Sequence, residues 1–463
     1  MTRDRVAEPA SRQDGLPLPQ RALAIIAVLG AMTSVVLDAG MANVALPSLA
    51  RSLGETPARA VLVITAYQTA LVMALLPCAA LGERFGNRRV FHSGVAVFIA
   101  GSVLCALSPS LSWLVAARFV QGLGGAAVMA LGVALLRISV APDRLGAAIG
   151  WNAMTVALAS AAAPTLGALI IANLDWPWLF LANLPISAVV LLSARTLPAV
   201  PGRAKRLDII SLGLNGVVFA LLVVGAEAVA TAPARSLLLL GSATVALTLL
   251  VRREAPKPAP LVPLDLLRIR SFRLSVIASV LCFTGQAAGM VALPFYLQQG
   301  LGQSPLMVGL YMSPWPLGVA VTASIAGHLS DRVPTGWLCA AGGACLAGGL
   351  AAMASWPLQG DPRPLMMFSA ICGLGFGLFQ TPNNRNMFFS APPERSGAAG
   401  GLQGTARLTG QTAGAVLMTT LFTLAPLSTA PRTGLGVGAI LALAAGLVSL
   451  LRSGGTATPR AAT

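Results

Sequence analysis

Apolar runs of about 20 residues, each long enough to cross a hydrocarbon core of roughly 30 Å, recur along the chain between charges, prolines and glycine clusters. Cutting at those breaks gives fourteen candidate helices. They fall near 22–43, 57–80, 90–108, 111–136, 145–172, 177–196, 208–230, 235–251, 272–299, 304–329, 335–356, 364–389, 397–424 and 433–451. The breaks at Ser108-Pro109-Ser110 and Asp175-Trp176-Pro177 are short, as tight hairpins between antiparallel spans require. A membrane β-barrel would show short alternating segments instead. The expected fold class is an all-α polytopic membrane protein, because a helix satisfies its own backbone in lipid.

Composition agrees with that pattern. The 463 residues are 56% hydrophobic and only 10% charged, where soluble proteins carry about 25% charged residues. With a mean hydropathy of +0.78, a soluble enzyme, a fibre and a disordered chain are excluded. Cys78, Cys105, Cys282, Cys339, Cys345 and Cys372 all lie in apolar spans without a CxxC pair, and are expected to be small buried hydrophobes. The first residues are polar and show no cleavable signal pattern.

The net charge of +16 is resolved by position. Of the 31 Lys and Arg, five lie in alternate loops (Arg51, Arg59, Arg235, Arg363, Arg432) and two inside spans (Arg118, Arg407). The other 24 fall in the opposite set of loops and in both tails. Basic residues mark the cytoplasmic side, so both termini are expected there. The charge then serves orientation and contact with the lipid bilayer, and no nucleic-acid partner is implied.

Two loops on that basic side share one pattern, small-x-Leu-x-acid-Arg. One runs through Leu81, Glu83, Arg84, Gly86 and Arg88, the other from Gly327 through Leu329, Asp331 and Arg332. Their equivalent places imply two parallel repeats of six helices, a plan found among secondary transporters. An acid–Arg pair at a helix end can lock neighbouring helices, and a glycine such as Gly86 permits the sharp reversal.

At this point the chain resembles the major facilitator superfamily, in its branch of fourteen-span drug:proton antiporters. The resemblance covers nearly the whole chain. The stretch Leu37-Asp38-Ala39-Gly40 to Pro47 is similar to the branch's first-helix signature. The loop at 79–89 is similar to the superfamily's loop motif, with Glu83 at the usual Asp position and Ala79 at the usual Gly position. Leu114 through Arg118 to Gln121-Gly122-Leu123-Gly124-Gly125 resembles the fourth-helix motif. Ala159 to Ala168, including Pro164 and Gly167, is similar to the fifth-helix antiporter motif, with Ala replacing several Gly. Trp176 to Phe180 with Asn183 and Pro185, and Pro263-Leu264-Asp265-Leu266, are further branch-like stretches.

The resemblance implies a major facilitator fold of two six-helix bundles plus two extra helices. The division expected is a tail at 1–20, a bundle at 21–200, the extra pair at 201–255, an interfacial connector at 256–271, a second bundle at 272–452 and a tail at 453–463. Asp208 would cap the first extra helix.

Of the fifteen acids, Asp38 alone lies well within a span, with Glu227 near the end of another. A carboxylate in lipid is costly and is a functional candidate for that reason. Asp38 sits about 25 Å beyond Arg21 at 1.5 Å per residue, in the outer half unless the helix is long and tilted. A structural hydrogen bond or a cap at a Pro47 break is the other reading. For Glu227 a solvated helix end is the better reading. The resemblance names Arg118 as the partner of Asp38, the two forming the proton-coupling pair. An arginine satisfied by carbonyls is the alternative.

The thirteenth span carries Gln403, Arg407 and Gln411 at i, i+4 and i+8, one face of a helix. That stripe lines either a wet cavity or a polar helix seam. Tyr67, Gln68, Gln121, Asn152, Gln286, Tyr296, Tyr311 and Trp315 are the other candidate cavity residues, each singly also consistent with packing or an interfacial anchor. Pro164 and Gly167 read as a conformational element.

No Walker sequence, GxSxG elbow or HExxH is present, so no enzyme and no cofactor is expected. Protons are the coupling ion that the resemblance implies. The function so implied is proton-driven efflux of lipophilic drugs, organic cations such as quaternary ammonium compounds in particular, from a bacterial cytoplasmic membrane, by a monomer with a small-molecule substrate. Glu83, Arg84, Gly86, Arg88, Asp331 and Arg332 would latch the cytoplasmic side. A dedicated exporter of a metabolite, amino acid or siderophore, or a non-transporting membrane scaffold or sensor, are the rival readings.

Overall fold

The computed structural model describes residues 16–141, 144–202, 207–257, 260–357, 361–392 and 395–452. Most of the two expected tails, and part of the connector, lie outside the described residues. Among the described residues, fourteen helical rods follow one another. The first seven helices are α1 Leu18–Ser52, α2 Pro57–Phe85, α3 Asn87–Ala106, α4 Leu111–Ser139, α5 Leu145–Asn173, and α6 Trp178–Leu181 with α7 Leu184–Ser193 as one broken rod. Next come α8 Ile209–Glu227, α9 Pro233–Glu254 and the short α10 Leu264–Arg268. The last seven are α11 Arg270–Phe295, α12 Pro305–Met312 with α13 Pro314–Leu329 as a second broken rod, α14 Thr335–Ser355, α15 Pro364–Ser390, α16 Ser396–Leu424 and α17 Ala430–Leu450.

Thirteen of these rods are long and apolar enough to cross a membrane. The fourteenth, α16, is 29 residues long, but Gln403, Arg407, Gln411 and its many Gly and Thr dilute its hydropathy. The protein is an all-helical, multi-pass membrane protein.

The repeat shows in which rods touch. In the first bundle α2 and α3 pack on α4, and α1 packs on α5 and α7. In the last bundle α13 and α14 pack on α15, and α11 packs on α16 and α17, the same pairs in the same order. Between bundles, α2 meets α16, α5 meets α12 and α13, and α1 meets α11. Second rod meets fifth and fifth meets second, so the seam has approximate two-fold symmetry.

Small residues make these approaches possible. A side chain at Gly124 would collide with the Phe98 backbone at 2.4 Å, and one at Gly342 with the Phe379 backbone at 2.5 Å. Close backbone approach replaces the hydrophobic drive that lipid removes. Leu237 and Leu238 on α9 are 76% and 70% exposed, outward-facing apolar side chains suited to lipid tails.

Three local expectations change. The first helix does not stop near residue 43 or break at Pro47. It runs 35 residues with Pro47 buried inside it, and Val44, Leu46 and Ala50 at its C-terminal end join the apolar cluster of α11. Asp38 is therefore within about 5 Å of the helix middle at 1.5 Å per residue, and caps no break. The sixth rod is interrupted at Asn183, and the ninth ends in one π-helical turn, Tyr296–Gly300. Asp208 does cap α8, its Oδ1 accepting from Ser211 N at 3.1 Å.

The α8–α9 pair lies across the seam, with α8 touching both α2 and α16. Asn215 Nδ2 donates to Met73 O at 3.0 Å, fixing α8 to α2. Glu227 is half-buried beside Thr65 of α2, so it is not a freely solvated helix end. At the basic end Asp208 accepts from Arg253 at 3.1 Å and from Lys257, while fully buried Glu254 takes Lys257, Ser211 Oγ and Leu261 N. The Asp208 carboxyl is held well below the usual carboxylate range by hydrogen bonds from Lys257 and then Arg253.

Candidate functional site

Asp38 on α1 and Arg118 on α4 meet in the first bundle, both side chains about 1% exposed. Arg118 Nη1 donates to Asp38 Oδ2 and, at 2.6 Å, to Gln121 Oε1. Gln121 Nε2 donates to Asp38 Oδ1 at 2.9 Å and to Ser102 Oγ at 2.8 Å. Arg118 Nε reaches Val63 O at 3.3 Å on α2. The guanidinium also lies 4.2 Å from the Tyr67 ring centroid and 5.5 Å from that of Phe180. Both charges thus have partners on every side that matters, as burial in a low-dielectric interior requires.

The folding of this site follows from spacing. Arg118 and Gln121 are three residues apart on α4 and share a face. A side chain at Gly101 would strike the Gln121 backbone at 2.6 Å, so that glycine lets Ser102 reach the Gln121 amide. Gln121 and Tyr67, two of the candidate cavity residues, both sit in the ion-pair network, Gln121 through the hydrogen bonds that its place one turn from Arg118 allows. Ser102 and the Val63 carbonyl were not singled out from sequence, while Phe180 entered only as part of a branch-like stretch. Ser102 carried a signal, a hydroxyl in an apolar span, whereas Val63 carried none.

The remaining residues divide. Pro164 O lies 2.7 Å from where a Gly309 side chain would begin, and Gly167 packs on the Met41 backbone. Thr165 and Ser313 share a hydrogen bond of 2.5 Å across the seam. Gly86 has φ +93° at the turn from α2 to α3, a conformation that favours glycine. Asp331 pairs with Arg385 of α15 at 2.5 Å, a residue outside the loop pattern, while its neighbour Arg332 is exposed. Glu83 and Arg84 are exposed, and Arg88 is half-buried.

Tyr296 donates its hydroxyl to Trp356 O at 2.9 Å, and Trp315 packs against Gly289 and Gly373. Those contacts lie within the second bundle, and the indole Nε1 of Trp315 is buried without a hydrogen-bond partner among the described residues. Tyr311 is buried in the apolar cluster shared by the α1, α2 and α11 ends. Gln286, Gln68, Asn152 and Gln411 are half-buried, and the amide oxygens of Gln68 and Asn152 have no hydrogen-bond partner. Gln403 Nε2 donates to Asn384 Oδ1 at 3.2 Å. Arg407 Nη2 reaches Met129 Sδ on α4 at 3.9 Å, crossing from one bundle to the other.

A further residue joins the bundles at the C-terminal end of α1. Gln298, in the π turn, accepts from Arg51 Nη2 at 2.9 Å and donates to Val44 O at 3.4 Å.

Residues 28–415 match the Major Facilitator Superfamily. The chain belongs to the major facilitator superfamily. It is a membrane transporter of small molecules and not an enzyme. It is 43% identical to the uncharacterized transporter YebQ of Escherichia coli over 96% of this chain and 98% of that one. It is 30% identical to the riboflavin transporter RibZ of Clostridioides difficile, covering 83% and 84%, and 30% identical to the multidrug resistance protein Stp of Mycobacterium tuberculosis, covering 85% and 74%. A solved peptide transporter of the POT family superimposes with a TM-score of 0.71 at 17% identity over 93% of this chain and 94% of that one, a likeness of fold.

Proposed function

We propose that this transporter exports lipophilic, drug-like molecules across a bacterial inner membrane in exchange for protons, as a member of the fourteen-span drug:proton antiporter branch. The observation that carries the reading is the buried Asp38–Arg118 pair with its Gln121 bridge. A carboxylate at mid-helix, paired with one arginine, can exchange that partner for a proton. The multidrug relative Stp supports the substrate class. The basic face is the cytoplasmic one, with both termini there.

In the cycle, a proton from outside neutralises Asp38 and the ion pair parts. Arg118 keeps Gln121 Oε1, Val63 O and the Tyr67 ring, so the freed cation stays housed within the first bundle. α1 loses its ion pair with α4 and keeps the Gln121 hydrogen bond. The outer end of α1 is the part that Gln298 clasps to α11, so release at Asp38 weakens the outer closure. Loss of the proton toward the cytoplasm restores the pair. The loops around Glu83 and Asp331 close the cytoplasmic side in the opposite state.

The preference for permanent organic cations would rest on Asp38, which Arg118 already neutralises. The other acids among the described residues lie in loops or at helix ends, so the seam itself offers a cation little. RibZ supports the second reading, a dedicated metabolite transporter.

The test is accumulation in cells stripped of their own efflux pumps. Expression should lower the steady-state level of several unrelated lipophilic compounds, and a protonophore should restore it. A profile confined to one compound favours the dedicated transporter, and no change with any compound contradicts export.

A further inference from the structure

The two arginines inside the spans are treated differently by the fold. Arg118 has a carboxylate, an amide, a carbonyl and an aromatic face. Arg407 has a thioether sulfur at 3.9 Å, a weak acceptor, and no carboxylate among the described residues. Yet Arg407 is three residues from the middle of the 29-residue α16, about 5 Å along its axis. A guanidinium at that depth carries five donors and a full charge, and such residues face the bundle interior and mark substrate paths.

Its neighbours do not discharge it. Gln403, one turn toward the basic face, is engaged with Asn384. Gln411 lies one turn the other way. A side chain at Gly404 would meet Leu75 at 2.9 Å, and one at Gly401 would meet Leu76 at 3.2 Å, so α2 and α16 run antiparallel in a fixed register. That register sets Gln68, whose amide oxygen is buried without a partner, level with Gln411. A bare cation and an unsatisfied amide therefore stand about one turn apart along the seam.

We propose that Arg407 is the recognition site for an anionic oxygen group, a carboxylate, sulfonate or phosphate, on an otherwise lipophilic transported molecule. A planar guanidinium takes such groups through paired N–H bonds. The amide of Gln68 would take an N–H or O–H of the same molecule. The inference rests on the seam being the substrate path of the proposed exporter, and it replaces the organic cation with an acid-bearing compound.

Rhodamine 110 and rhodamine 123 test this, because the second is the methyl ester of the first and they differ at one carboxylate. Binding to the purified full-length protein is read by fluorescence anisotropy. The wild type should bind rhodamine 110 about tenfold tighter or more, the value of a hydrogen bond to a charged group. Arg407→Gln should bring the ratio close to one with rhodamine 123 unchanged, and Arg407→Lys should keep part of the preference. Arg407→Met should lose the preference and melt higher than the wild type, since an unpaired charge is removed. A wild-type preference for rhodamine 123, no binding of rhodamine 110, a ratio untouched by Arg407→Gln, or an Arg407→Met that melts lower overturns the inference. If it falls while Asp38→Asn still abolishes proton-driven transport of rhodamine 123, the exporter reading stands without it.

Discussion

Asp38 and Arg118 hold each other's charge where water does not reach, so changing one exposes the other. Arg118→Gln leaves the carboxylate with Gln121 alone. Removing one member of a buried pair costs about 3–5 kcal/mol, and a lower melting temperature in detergent is expected, partly rescued by adding Asp38→Asn. Equal melting of the single and double variants would contradict the pairing. Arg118→Lys keeps the charge but cannot serve Asp38, Gln121 Oε1 and Val63 O together, and transport should fall although the protein folds. Both charges were legible in the sequence because charges inside apolar spans stand out. Their bridge was less so. Gln121, one turn from Arg118, read both as a cavity residue and as a sharer of its hydrogen bonds, whereas Ser102 and Val63 entered only when α2, α3 and α4 were brought together in space.

Helices and their ends carry the next level. Gly86 has φ +93°, and a side chain there would meet Val200 O at 3.0 Å. Gly86→Ala should therefore cost about 1–3 kcal/mol of strain, seen as reduced thermal stability, and a neutral result would contradict the turn. Gln298→Leu removes the clasp between α1 and α11. A cysteine placed at Ser48 should then react faster with an impermeant maleimide, and an unchanged rate would show that the clasp does not hold the outer end shut. Asp208→Ala removes a cap of about 0.5–2 kcal/mol and frees Arg253 and Lys257. Because its folded pKa is depressed, the stability Asp208 supplies is full at neutral pH. It is lost as pH falls below the ordinary carboxylate range, and stability of the variant should be flatter in acid than that of the wild type. Helix number and the Asp208 cap were legible from runs and breaks. The extension of α1 through Pro47 was not, since a proline reads locally as a stop and its tolerance depends on packing against another rod.

At the scale of the molecule, the bundles touch through pairs related by a two-fold, α2 with α16 and α5 with α12 and α13. Such a seam can rock without breaking either bundle, and α8, lying on both α2 and α16, spans its edge. The paired loop pattern at Glu83 and Asp331 made the repeat visible in the sequence. The rods that face each other across the seam were invisible there, because no pattern within one rod names its partner. Coupling is the central claim, and it reduces to one carboxyl. The direct measurement uses purified protein in liposomes with an imposed pH gradient and an internal pH dye, following proton movement as rhodamine 110 or rhodamine 123 is added. Wild type should move protons with at least one compound, and Asp38→Asn should bind that compound but move none. Proton movement that survives in Asp38→Asn would contradict the account.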